Sequence, residues 1–206
     1  MASISYGILV CNEAVELNRL LGNLTAYLRP EDEIVVLVDG PKAPQAVADI
    51  ITLWQRTCEN LNCYRSEFNG NFAEWREELA SHCTKDWIFQ IDADELVDLD
   101  LLVHLPEIIE SCEDVEVFAL SRVNTVNGLT QEDIDKWHWD VHGRLVNWPD
   151  WQTRLYINDG SFHWTGEVHE CLEIAGRIIK GIRGLYHPKD IERQRRQNAL
   201  YDTYHQ

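Results

Sequence analysis

Five consecutive apolar residues, Ile34-Val35-Val36-Leu37-Val38, stop abruptly at Asp39-Gly40-Pro41. Side chains alternate between the two faces of a strand, so a strand apolar at every position needs cover on both faces. That environment is a parallel sheet sandwiched by helices. The flanking segments supply its partners. Ile4 to Val10 is apolar and β-prone, and Asn12 then offers an N-cap with Glu13 and Glu16 in the following turn. Leu17, Leu20, Leu21, Leu24 and Leu28 repeat at helical steps until Arg29-Pro30 ends the pattern. A helix over about 44–59, a strand near 63–65, a helix over 72–82 and a strand over 87–91 continue the alternation. This rhythm predicts an α/β fold, a doubly wound and mostly parallel sheet, through about residue 95.

The pattern then changes. Leu101 to Cys112 reads as a helix and Val115 to Leu120 as a strand. The stretch 124–164, rich in Trp, His, Asn, Gly and Asp, reads as loops and short antiparallel strands. A last strand near 177–186 leads into a charged helix over 191–204. With 206 residues, 45% of them hydrophobic, one substantial core is the expectation, and so a single domain over 1–206.

Charge narrows the partners. Lys and Arg number 18 against 35 Asp and Glu, a net charge of -17 that repels nucleic-acid backbones and anionic lipid. There is neither an apolar run of membrane-spanning length nor a basic-then-apolar start, so a cytoplasmic protein with no membrane span is expected. Six cysteines without paired spacing read as reduced thiols; Cys58 and Cys63, five apart, are the one pair weighed for a disulfide, and the compartment argues against it.

The strongest chemical signal is Asp92-Ala93-Asp94-Glu95, directly after the apolar strand 87–91. Ligands of open α/β sheets bind beyond the carboxyl ends of the strands. Alternation along an extended segment aims Asp92 and Asp94 the same way, two hard oxygen donors suited to Mg²⁺ or Mn²⁺. The alternative is a solvated acidic turn. Asp39 closes the second strand at the same edge, where its carboxylate can accept a hydrogen bond from a base imide N–H; read alone, it starts a Gly-Pro turn.

These segments together resemble the inverting glycosyltransferases of family 2, which have the GT-A fold. Ile8 to Glu13 is similar to the family's opening strand and helix start, and Asp32 to Gly40 to its second strand with the base-recognising Asp39. Asn71 to Arg76 resembles the stretch before the metal motif, and Asp86 to Glu95 the metal strand itself. Arg154-Leu155-Tyr156, the segment Phe162 to Glu170 and the late Tyr186-His187 are similar to a subgroup's acceptor half. Two departures stand out: Pro41 to Gln45 replaces the usual Ser, Asp and Thr, and Glu77 stands where Asn commonly follows the arginine.

The resemblance implies a nucleotide-sugar half (1–100) and an acceptor half (101–206) in a metal-dependent enzyme. Its donor is a nucleotide-diphosphate sugar, with UDP favoured and GDP open, and its acceptor a glycan or other hydroxyl. Implied donor contacts are Asn12, Glu13, Asp39, Arg76, Asp92 and Ala93; implied ligands of Mn²⁺ or Mg²⁺ are Asp92, Asp94 and His187. Trp148, Trp164 and His169 are implied at the acceptor, with Glu170 as general base and Glu167 and Asp150 as rivals. Arg76 either contacts the diphosphate, orients Asp92, or sits on a helix surface paired with Glu74 or Glu77. An excess of carboxylates argues that the diphosphate is not held by side-chain charge alone. Two other classes were weighed. A nucleotidyltransferase wants a glycine-rich first loop, and only Gly7 lies in the first strand. A carbohydrate-binding module would explain Trp137, Trp139, Trp148, Trp151 and Trp164 but needs no β-α-β half.

Overall fold

The computed structural model describes residues 1–167, 170–174 and 176–204. The first half follows the rhythm of the sequence: β1 (Ile4–Val10), α1 (Ala14–Thr25), β2 (Glu33–Asp39), α2 (Gln45–Gln55), β3 (Leu61–Ser66), α3 (Phe72–Ser81) and β4 (Trp87–Asp92). The chain continues through β5 (Leu96–Val97), α4 (Leu99–Ser111), β6 (Val117–Asn127), α5 (Gln131–Trp137), β7 (Val141–His142) and β8 (Leu145–Ile157). It ends with β9 (Trp164–Thr165), β10 (Cys171–Leu172), β11 (Ile178–Asp190) and α6 (Ile191–Tyr204).

One sheet runs in the order β3-β2-β1-β4-β8-β6-β11-β5, with β7 paired to β8. The pairs β1–β2, β1–β4, β2–β3 and β6–β11 are parallel, whereas β8 is antiparallel to both β4 and β6. The second half is therefore more regular than its composition predicts. Where the sequence reads as loops and short antiparallel strands over 124–164, one long antiparallel strand of 13 residues, β8, lies in the middle of the sheet and joins the two halves. Its polar residues do not mark a loop, because Asp150 and Arg154 bond Arg122 of β6 and Asp92 of β4.

The run in β2 packs as its composition demands. Ile34, Val36 and Val38 face one core with Leu17, Leu20, Leu21 and Leu24 of α1, Val47 and Ile51 of α2, and Leu105 of α4. Val35 and Leu37 face a second core with Ala73, Trp75 and Leu79 of α3, Tyr156, Phe162 and Trp164. Each fully buried Leu contributes about 1.5–3 kcal/mol of apolar transfer energy, so α1 is held mainly by its four-leucine stripe. It has no side-chain cap: Glu13 precedes the helix in place of the expected Asn12, and its Oε2 accepts the N–H groups of Cys11 and Asn12, both at 2.9 Å. Gly7 has a packing role, since a Cβ there would lie 3.1 Å from Leu79 Cδ2 of α3. All six cysteines are free, and among the described residues no helix is long and apolar enough to cross a membrane.

Candidate active site

Strand β4 ends at Asp92, and the N–H of Glu95 bonds the Asp92 carbonyl at 2.9 Å, closing a turn. The alternation that would aim Asp92 and Asp94 alike therefore stops between them. Their carboxylates meet different partners.

Asp92 is enclosed by guanidinium groups. Arg154 of β8 forks onto it, Nη1 to Oδ1 at 2.9 Å and Nη2 to Oδ2 at 3.0 Å, and Arg76 of α3 donates Nη2 to Oδ1 at 3.0 Å. Arg122 of β6 lies 3.9 Å from Oδ2 and bonds Glu95 at 3.1 Å and Asp150 at 2.8 Å. Burial alone would raise the Asp92 pKa; the charges of Arg154 and Arg76 outweigh it and hold the carboxyl well below the usual range. Glu95, 1% exposed, also accepts the Asp92 N–H through Oε2 at 3.0 Å.

Asp94 faces β11 and α6. Its Oδ2 lies 3.3 Å from His187 Nε2, 3.7 Å from Lys189 Nζ and 3.3 Å from Arg193 Nη2. Desolvation works against ionisation here too, but His187, by hydrogen bond and charge, and Lys189 bring the pKa down to about 2. Arg193 also pairs with Glu16 and lies 3.8 Å from Glu13, which ties α6 to the start of α1. His187 is placed by register: it pairs with Asn124 on the parallel neighbour β6, and its Nδ1 lies 2.9 Å from Asn124 Oδ1.

Arg76 is neither on the surface nor paired with Glu74 or Glu77. It is 4% exposed, donates Nε to Glu170 at 2.7 Å and Nη1 to Gln90 at 3.2 Å, and stacks 4.8 Å from the Trp164 ring. It thus orients Asp92 and Glu170 together. Trp164 is buried, with Nε1 on the Tyr156 hydroxyl at 3.2 Å and its backbone N–H on Glu77, which gives the departure at position 77 a structural role. Trp148 is half-buried and Glu167 is exposed, while Asp150 accepts from Arg122, Asn124 and Gln152. Val168 and His169 lie outside the described residues.

Asp39 is 3% exposed at the end of β2. It bonds the Phe68 N–H at 3.4 Å and lies 3.9 Å from the Cys11 thiol and 3.4 Å from Lys42 Nζ, which also sits over the Phe68 ring. Cys11 directly follows the last residue of β1, so Asp39 and the β4 turn share one edge of the sheet, with β1 between their strands. Ala93 is buried behind the turn.

Sequence reasoning gave no role to Arg122, Lys189, Arg193, Asn124 or Gln90, and noted Arg154 only within the acceptor-half motif, not as a partner of Asp92. One signal was available: Gln90 is a lone amide inside an otherwise apolar strand, and a buried amide must find partners. The gathering of these cations is invisible to net charge, which averages over the chain.

The donor set fits a divalent ion in part. Among the described residues no three His, Cys, Asp or Glu side chains are arranged to hold a metal. Asp94 Oδ2 and His187 Nε2 nevertheless converge at 3.3 Å. Adjacent ligands of a six-coordinate ion with bonds of roughly 2.0–2.1 Å lie about 3 Å apart, and such ions commonly take one or two protein ligands, the rest being water and phosphate. Asp92, with both oxygens on guanidinium groups, stands outside that pair.

The sequence matches the family described as Glycosyl transferase family 2 over residues 5–171. No curated protein matches it. Among solved structures, S. aureus TarS 1-349 is similar at 18% identity and a TM-score of 0.61, covering 91% of this chain and 60% of that one. TarS 1-349 in complex with UDP-GlcNAc aligns at 18% identity and a TM-score of 0.60, covering 92% and 59%. The mannosyltransferase PcManGT from Pyrobaculum calidifontis, in complex with GDP-Man and Mn²⁺, aligns at 18% identity and a TM-score of 0.50, covering 75% and 44%. The chain spans about 60% of the length of TarS 1-349. These likenesses carry the fold, a mostly parallel sheet with antiparallel strands in the GT-A arrangement.

Proposed function

Because the chain belongs to glycosyl transferase family 2, we propose that it moves a sugar, with inversion, from a nucleotide-diphosphate sugar to a hydroxyl acceptor such as a glycan. The observation that carries this reading is the edge formed by Asp39 and the β4 turn, with Asp94 and His187 3.3 Å apart and Lys189 and Arg193 beside them. Asp39 is acceptor-only when ionised and suits a base with an imide N–H. Uracil has one, which favours UDP. Guanine has one too, and both nucleotide classes occur on this fold, as UDP-GlcNAc in TarS and GDP-Man in PcManGT.

Asp94 and His187 would hold Mn²⁺ or Mg²⁺, and a divalent ion in that seat supplies charge neutralisation at the leaving diphosphate. Lys189 and Arg193 offer further N–H donors to phosphate oxygens. Net charge argues that side-chain cations are too few to hold a diphosphate; the local gathering of Arg76, Arg122, Arg154, Lys189 and Arg193 weakens that argument. Asp92 acts as an organiser, fixing Arg76 and Arg154. Glu170 takes the proton of the acceptor hydroxyl as general base, held in place by the Arg76 Nε bond, while Glu167, being exposed, is less well placed.

Calorimetry and donor turnover test this. Wild type should bind UDP, Asp39→Ala should bind it at least about tenfold more weakly through loss of one charged hydrogen bond, and a UDP-sugar should be hydrolysed slowly with Mn²⁺ and not with EDTA. Equal UDP affinity in both proteins removes the base assignment. Unchanged turnover in EDTA and in Asp94→Ala removes the metal.

A further inference from the structure

Three polar side chains from three different strands form a chain that ends at Asp94. Asp150 of β8 accepts from Asn124 Nδ2 at 2.8 Å, Asn124 Oδ1 lies 2.9 Å from His187 Nδ1, and His187 Nε2 lies 3.3 Å from Asp94 Oδ2. The first link sets the others. An ionised carboxylate only accepts, so the Asn124 amide must turn its NH₂ toward Asp150 and its oxygen toward β11. Asp150 is itself fixed by Arg122 Nε at 2.8 Å and Gln152 Nε2 at 2.7 Å. An amide oxygen facing an imidazole nitrogen demands an N–H there, so the proton sits on Nδ1. The remaining nitrogen, Nε2, is then the one that faces Asp94: with no metal cation present it donates to the carboxylate, and giving up that proton makes it a ligand.

We propose that Asn124 is a positioning residue: anchored by Asp150, it fixes the His187 tautomer and ring orientation so that Nε2 stands beside Asp94 as a second donor to one cation. The inference rests on the reading of Asp94 and His187 as metal ligands and deepens it. Register makes the arrangement stiff, because Asn124 and His187 are paired residues on parallel strands and neither side chain has to reach. A partner of this kind, behind a ligating imidazole, typically accounts for about 10–100-fold in metal affinity.

The test has a metal-free arm and a metal arm. In full-length, metal-free protein with ¹⁵N-labelled histidine, in mildly alkaline buffer, ring-nitrogen NMR should show His187, assigned by its loss in His187→Gln, protonated on Nδ1. Asn124→Leu, which has neither the acceptor nor the anchor, should lose that preference. With UDP present, Mn²⁺ titrated by calorimetry should bind Asn124→Leu about 10–100-fold more weakly than wild type. A wild-type His187 that carries no proton on Nδ1, or Mn²⁺ affinity unchanged in a folded Asn124→Leu, overturns the role of Asn124. Wild type that binds no Mn²⁺ while showing the Nδ1 proton overturns instead the metal reading on which the role depends.

Discussion

Arg76 is the side chain whose removal most directly tests whether the polar centre of this cleft is a built, desolvated cluster. The perturbation is Arg76→Met, which keeps much of the apolar stem and deletes the guanidinium. Three donor contacts disappear, to Glu170 at 2.7 Å, Asp92 at 3.0 Å and Gln90 at 3.2 Å, together with the stack on Trp164. Removing one partner of a buried ion pair costs about 3–5 kcal/mol, because the opposite charge is left without compensation. Two features pull the value to the low end: Asp92 keeps its fork to Arg154, and the Glu170 side chain, 15% exposed, can recover some water. The expectation is a loss of about 3 kcal/mol, a large share of the roughly 5–15 kcal/mol typical of a folded domain. Arg76→Lys keeps the charge, but a single ammonium cannot span three acceptors in fork geometry, so it should fall between. Urea unfolding followed by tryptophan fluorescence measures this directly as the change in midpoint multiplied by the slope. A loss below about 1 kcal/mol would place the cluster with ordinary solvated surface pairs and refute the reasoning.

Two further outcomes follow from the same geometry. Asp94 has a folded pKa lowered from 3.8 to about 2, and 1.36 kcal/mol per unit makes this about 2 kcal/mol of stability. Since the folded value is the depressed one, that stability is present above the unfolded pKa and is lost as pH falls through about 2. The gap in unfolding free energy between wild type and Asp94→Asn should therefore narrow from pH 6 toward pH 3, and a gap independent of pH contradicts the pairing with His187, Lys189 and Arg193. Glu170→Gln should keep UDP and Mn²⁺ affinity while transfer falls by about 10²–10⁴-fold; a near-normal rate there, with Glu167→Gln inactive, moves the base to Glu167.

How much of this was legible in the sequence depends on the range of the interaction concerned. The β-α rhythm through residue 95 was legible because the apolar runs and leucine stripes are local patterns with the period of the element they form. The length and central place of strand β8 were not, because its Asp150, Gln152 and Arg154 break the apolar pattern of a central strand. They are polar for the sake of partners far away in sequence: Arg154 is 62 residues from Asp92, and Arg122 is 28 from Asp150. Composition sees such a segment as loops with short strands. Asp39, Asp94, His187 and Arg76 were singled out by pattern and resemblance, whereas Asn124, Lys189 and Arg193 carry no local signature and become visible only when β6, β11 and α6 are side by side.

The acidic pair after β4 shows why spacing alone did not fix roles. Had the strand continued, Asp92 and Asp94 would stand on one face and compete for the same cations. The turn closed by Glu95 separates them, giving Asp92 to the guanidinium groups of Arg154 and Arg76 on one side and Asp94 to His187, Lys189 and Arg193 on the other. Asp92 then needs no added ion, because its charge is already matched by fixed groups whose own nitrogens are committed to Glu170, Gln90 and Gln152. Asp94 differs in kind. Two of its neighbours, Lys189 and Arg193, sit on β11 and α6, and a diphosphate entering beside it would compete for both, leaving its oxygen and His187 Nε2 facing one another across 3.3 Å. A carboxylate that gave up its cations to an incoming anion would need a replacement, and a divalent ion held by Asp94 and His187 would supply that charge.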